Sequence, residues 1–156
     1  MATPIPKKPI QLPAIEGGVP ERKEYLVFGQ PLLGEDEINA VVETLRSGWI
    51  STGPKSIQFA KEFREYVGSA YSIATNSCTA SLHLALLAAG VKPGDEVITT
   101  PMTFAATVNV ISHIGATPVL ADIQPRWFNI DPEQIERRIT SKTKAIIPVH
   151  FAGLAC

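Results

Sequence analysis

Residues 71–100 read YSIATNSCTASLHLALLAAGVKPGDEVITT, and their rhythm decides the fold. The short apolar run Tyr71 to Thr75 reads as a strand and leads into the polar turn Asn76-Ser77-Cys78-Thr79. Ala80 to Ala89 is apolar nearly all round, the pattern of a helix covered on every side. Gly90 closes that helix, Pro93-Gly94-Asp95 turns the chain, and Glu96 to Thr100 is the next strand. The alternation continues toward the C-terminus. A helix is expected from about Phe104 to His113, ending at Gly115, then a strand from Thr117 to Ala121. Asp131-Pro132-Glu133-Gln134 is a helix start, with Asp at the N-cap, Pro at N1 and Gln at N3 for a capping box. Thr143 to Val149 is the last strand. Helices alternating with short β-rich runs predict βαβ crossovers, hence an α/β fold with a mostly parallel sheet covered on both faces.

Upstream of Tyr71 the pattern is helical. Ile38, Val41, Val42 and Leu45 recur at i, i+3, i+4 and i+7, and Ser47-Gly48 stops that helix. After the loop 48–54, a second helix gathers Phe59, Phe63, Tyr66 and Val67 on one side, with Gly68 suited to the C′ position. The first twenty residues, MATPIPKKPIQLPAIEGGVP, carry five prolines and the Gly17-Gly18 pair. Such a segment is expected to form an extended arm rather than a regular element. The domain reading is therefore an arm over residues 1–28, followed by one α/β unit over 29–156.

The chain has 156 residues, 45% hydrophobic and 19% charged, enough for one core of globular type. With 14 basic and 15 acidic residues, a net charge of -1 and no long single-sign block, a polyanion partner is not expected. No apolar run approaches the roughly 18–20 residues that span a bilayer. Cys78 and Cys156 show neither a CxxC pair nor a metal-ligand spacing, and no charged segment precedes a long apolar one, which together point to the cytoplasm.

In a parallel sheet, ligands bind outside the carboxyl ends of the strands. Those ends here are Asn76-Ser77-Cys78-Thr79, Thr100 to Phe104, Ala121-Asp122 and His150 to Gly153. The first is a turn of small and hydroxylated residues opening a helix, where unpaired N–H groups and the helix dipole favour an anion such as phosphate. Ordinary N-capping by Ser77 or Thr79 accounts for the same residues. The turn is neither GxGxxG nor GxxxxGK[ST], so dinucleotide and P-loop assignments lose their support. Phe104 is either a ring that stacks on a planar cofactor or a core residue of its own helix. His150 is either an acid–base or ligand-binding residue at the rim or a structural histidine. Cys78 is either a thiol activated by the helix N-terminus or a small residue fitting a tight turn. Trp49 reads as a packing anchor whose neighbours Ser51, Thr52 and Gly53 could line a ligand.

Six spaced stretches, GQPLLGEDE (29–37), GWISTGP (48–54), ATNSCTASLHLAL (74–86), KPGDEVITTPMTFAATVNVI (92–111), GATPVLADI (115–123) and TSKTKAIIPVHFAG (140–153), resemble in order the DegT/DnrJ/EryC1/StrS family of nucleotide-sugar aminotransferases dependent on pyridoxal 5'-phosphate. The resemblance implies a three-layer α/β/α sandwich like the large domain of the fold-type-I transferases, built on a seven-stranded, mostly parallel sheet. It implies that Thr79 and Ala80, with Cys78 beside them, hold the cofactor phosphate, and that Phe104 stacks on the pyridine ring. Thr52, Trp49 and His150 would border the sugar site. The implied reaction moves nitrogen from an amino-acid donor, usually glutamate, to a keto group of a nucleotide-linked sugar, as in polysaccharide biosynthesis. Family members are homodimers.

In that family, the aspartate facing the pyridinium nitrogen and the Schiff-base lysine both lie beyond the position matching Cys156. Lys7, Lys8, Lys23, Lys55, Lys61, Lys92, Lys142 and Lys144 do not match the catalytic motif, so no catalytic residue is assigned within the 156 residues. The resemblance thus implies an enzyme of which this stretch is a truncated, inactive N-terminal part with uncovered sheet edges. Two other readings stay open. One is a non-catalytic phosphate-binding or interaction module; the other is a lysine-lacking dehydratase-type relative.

Overall fold

The computed structural model describes residues 12–27 and 29–156. The chain forms two compact units, one ending at Gly53 and one running from Pro54 to Cys156. In the first unit, helix α1 spans Glu35–Ser47. Its entry is half of a capping box: the Gly34 N–H donates to the Glu37 carboxylate at 2.7 Å, but Gly34 has no side chain to return the bond. Hydrogen bonds from the Gly34 and Glu37 amides hold the Glu37 carboxyl below the ordinary glutamate value. Gly48, at φ 76°, ends the helix in the left-handed conformation that glycine adopts without a Cβ clash. Of the proline-rich arm, residues 1–11 and Phe28 lie outside the described residues. The rest is not wholly irregular, since Ala14–Glu16 makes one 3₁₀ turn closed by Gly17 at φ 92°.

The second unit contains α2 (Pro54–Val67), α3 (Cys78–Ala88), β1 (Glu96–Thr99), α4 (Ala106–His113), β2 (Thr117–Leu120), α5 (Pro132–Glu136) and β3 (Thr143–Ile147). The three strands form a parallel sheet in the order β2-β1-β3, with Ile98 opposite Val119 on one side and Ile146 on the other. Successive side chains of a strand face opposite ways, and β1 uses this to serve two layers. Val97 joins Leu86, Val110, Ile111 and Ile114 of the α3/α4 side. Ile98 joins Ala121 and Ile130, with Val119 and Ile135 of α5 packed against them. The result is helix, sheet, helix, as the sequence pattern predicts.

Several expected elements change. Tyr71 to Thr75 is not a strand; it is irregular, with Tyr71 and Ile73 more than four-fifths exposed. A strand exists through its ladder partner, and among the described residues this segment has none. Among the described residues the sheet accordingly has three strands rather than the four expected from the sequence pattern. Helix α3, expected to be covered all round, buries only Leu86 fully and leaves Leu84 and Leu87 half exposed, because α4 is the helix it packs on. Strand β3 stops at Ile147 instead of Val149, since Pro148 has no N–H for the ladder. α4 begins at Ala106, two residues later than the sequence pattern suggests.

Asp131 caps α5 by accepting the Glu133 N–H at 3.0 Å. The predicted return bond to Gln134 is absent: the Asp131 N–H goes to the Asp122 carbonyl at 2.9 Å, and the Gln134 Oε1 accepts from Arg138 at 2.7 Å. Asp131→Ala is therefore expected to lower stability by about 1 kcal/mol, the usual worth of one N-cap. A urea melt checks this, and a change below about 0.3 kcal/mol would show that the cap is dispensable. Among the described residues, no helix is long and apolar enough to cross a membrane.

Candidate functional site

Because the three strands are parallel, their carboxyl ends share one edge. Phe104 follows β1 there and His150 follows β3, so the fold brings these two sequence-nominated residues to one rim. The turn 76–80 opens α3, which is placed by its packing on α4.

Ser77 is the N-cap of α3, in extended conformation, with its Oγ accepting the Ala80 N–H at 3.1 Å. The first intrahelical bond runs from the Ser81 N–H to the Ser77 carbonyl at 3.1 Å. Helix geometry then leaves the amides of Cys78 and Thr79 as first-turn donors without an intrahelical partner. The capping reading of this turn is thus realised, yet it consumes one amide and leaves two for an anion. Ala80 offers smallness rather than a free N–H. The Ser81 hydroxyl pairs with that of Thr75, and Thr75 also donates to the Ser77 carbonyl at 3.0 Å. A groove of about 300 Å³ runs beside the turn, between Phe59 and Phe63 on α2 and Asn76, Ser77, Cys78 and Ser81. The Cys78 thiol is exposed.

Phe104 is 81% exposed, so it is not the core residue that its helical context allowed. An aromatic ring left that open at a strand end is available for stacking on a flat ligand. The exposed His150 takes part in a backbone contact: its Nδ1 accepts the Cys156 N–H at 3.0 Å. Trp49 and Thr52 belong to the first unit. A Cβ at Gly53 would lie 3.2 Å from the Trp49 Cβ, so the indole lies against Gly53 while remaining 59% exposed. Thr52 is exposed.

Lys142 and Lys144 stand at or before the start of β3, and Lys92 lies in the turn leading into β1. All three are at the amino edge of the sheet, opposite the rim. Among the described residues, no three His, Cys, Asp or Glu side chains gather as a metal ion requires.

Two features were not legible from sequence. Asn129, only 6% exposed, bonds the segment after β3 through three contacts. An apolar hollow of about 500 Å³ adjoins it, lined by Trp127, Ile130, Ile135, Ile146 and Leu154 among others. Neither has a local pattern, because each is assembled from residues of different elements.

The residues present fit a phosphate at the α3 turn and a planar ring at Phe104. Residues 31–156 match the DegT/DnrJ/EryC1/StrS aminotransferase family. The spore coat polysaccharide biosynthesis protein SpsC of Bacillus subtilis is 54% identical over 138 residues, covering 88% of this chain and 36% of SpsC. The PLP form of Spr1654 from Streptococcus pneumoniae superposes with a TM-score of 0.78 at 47% identity, over 84% of this chain and 33% of that one. PseC of Helicobacter pylori, an aminotransferase involved in the biosynthesis of pseudoaminic acid, gives a TM-score of 0.77 at 33% identity, over 85% of this chain and 36% of that one. The chain thus spans about a third of the length of these relatives.

Proposed function

The chain belongs to the DegT/DnrJ/EryC1/StrS aminotransferase family, and from that premise we propose that the whole protein transfers an amino group to a keto carbon of a nucleotide-linked sugar. Glutamate is the proposed donor and pyridoxal phosphate the cofactor, with residues 29–156 forming the N-terminal part of the large domain of a cytoplasmic homodimer. The observation that carries this reading is the α3 N-terminus, where two amides without intrahelical partners meet hydroxyl groups and a residue as small as Ala80.

Each residue has a role that its own chemistry supplies. The Cys78 and Thr79 amides and the Thr79 hydroxyl donate to the phosphate, which the positive end of the α3 dipole also favours. Phe104 lies against the face of the pyridine ring and keeps water from it. His150 of the second unit borders the sugar, and the family resemblance nominates Thr52 and Trp49 of the first unit for the same ligand. When bound, the cofactor supplies the electron sink through which nitrogen is carried. No lysine in the chain is assigned to hold it, and the amino-edge positions of Lys92, Lys142 and Lys144 support that.

Inorganic phosphate and pyridoxal phosphate titrated separately into the chain test the reading. Both are expected to shift the Cys78 and Thr79 amide resonances, and only the second should shift the Phe104 ring. Phe104→Ala should weaken the second ligand by about 0.5–1.5 kcal/mol, roughly twofold to twelvefold, and leave inorganic phosphate unaffected. Phosphate binding without any shift at α3 would overturn the assignment. Shifts from both ligands with no response at Phe104 would favour a phosphate-binding module without the cofactor.

A further inference from the structure

Asn129 is buried to 6% exposure in the connection between β2 and α5, and its amide bonds a single segment three times. Its Oδ1 accepts the Phe151 N–H at 3.0 Å, while its Nδ2 donates to the carbonyls of Leu154 at 3.0 Å and Ala155 at 3.2 Å. These bonds use both amide hydrogens and the oxygen, so the side chain is satisfied in one orientation. A trans peptide is planar, and its carbonyl and N–H point to opposite sides. The peptide joining Ala155 to Cys156 is held by its carbonyl to Asn129, so its N–H faces away from Asn129. That N–H is the one His150 Nδ1 accepts at 3.0 Å. Asn129 therefore grips both the residue next to His150 and the peptide that hydrogen-bonds the imidazole.

The loop also needs holding. Ala152 at φ 51° and Phe128 at φ 61° occupy the left-handed region without being glycine. Such conformations persist only where the surroundings over-determine them. Here the three Asn129 bonds and the Phe128–Phe151 ring pair, 5.6 Å between centroids, do so.

A ring nitrogen that accepts a backbone N–H carries no proton, so the neutral imidazole must carry its proton on Nε2. We propose that Asn129 is a positioning residue that, through the Ala155–Cys156 peptide, fixes His150 as the Nε2–H tautomer, a preset hydrogen-bond donor for an oxygen acceptor of the ligand at the sheet rim. The ligand half of this statement rests on the reading of His150 as a border of the sugar site; the tautomer half does not.

Imidazole ¹⁵N spectra of the whole chain at pH about 9 read the tautomer directly. The wild type is expected to show His150 protonated on Nε2. Asn129→Ala should convert it to a mixture and speed amide exchange at Phe151 about tenfold or more. Cys156→Pro removes the donor N–H while leaving the Asn129 bond to the Phe151 N–H in place. It should release the tautomer equally while leaving Phe151 protected, a split that general loosening of the fold would not produce. A proton on Nδ1 in the wild type, or an unchanged tautomer in Cys156→Pro, overturns the inference. This outcome is separate from failure of the phosphate titration, which would remove the functional reading and leave the tautomer result standing.

Discussion

Ile98→Ala is expected to lower the unfolding free energy by about 3 kcal/mol, within the 2–5 kcal/mol typical of truncating a buried aliphatic side chain. Ile98 is fully buried on the middle strand, and the cluster around it is small: Ala121 and Ile130, with Val119 and Ile135 at the margin. A cavity on that face has few neighbours able to collapse into it. For a unit of this size, such a loss is a large share of the roughly 5–15 kcal/mol that holds a domain folded. Ile146→Ala is the control. Ile146 is the Ile98 partner on β3 but remains 44% exposed, so its truncation should cost well under half as much. Urea titration of both variants decides the matter. Equal losses at the two positions would show that Ile98 does not occupy a closed core.

Thr79→Val should weaken binding of pyridoxal phosphate and of inorganic phosphate by about 1.5–3 kcal/mol, roughly twelvefold to 160-fold, if the Thr79 hydroxyl donates to the phosphate as proposed. Valine keeps the shape and the helix and deletes only the hydroxyl. Thr79→Ser restores that group and should recover most of the affinity. Isothermal titration with both ligands gives the comparison. Unchanged phosphate binding in the valine variant would leave the site to the Cys78 and Thr79 amides alone.

What the sequence revealed depended on whether a feature is local. The order of helices and strands from Glu35 to Ile147 follows from periodicity and punctuation: Gly48 at a positive φ, Gly68 after α2, and Pro132 as the first residue of α5. The α3 turn was legible because a helix start built from small polar residues is contiguous. Tyr71 to Thr75 misled because its composition suits a strand, while strand formation depends on a hydrogen-bonding neighbour that the segment does not contain. Phe104 posed the reverse problem. Its place in an apolar helical pattern argued for burial, and only the structure shows the helix starting beyond it, leaving the ring outside the core. Asn129 carried no signal at all, since a buried amide acquires its meaning from carbonyls 25 and 26 residues away.

The alternation of Val97 and Ile98 on β1 also constrains how this chain can change. A volume gained or lost at Val97 is met by its own cluster, which includes Leu86, Val110 and Ile147, and one at Ile98 by Val119, Ala121, Ile130 or Ile135. Close packing couples touching residues and leaves separated ones independent. Suppressors selected against lesions in this strand should therefore sort by parity, with odd and even positions drifting through sequence space as two separate lineages of compensation.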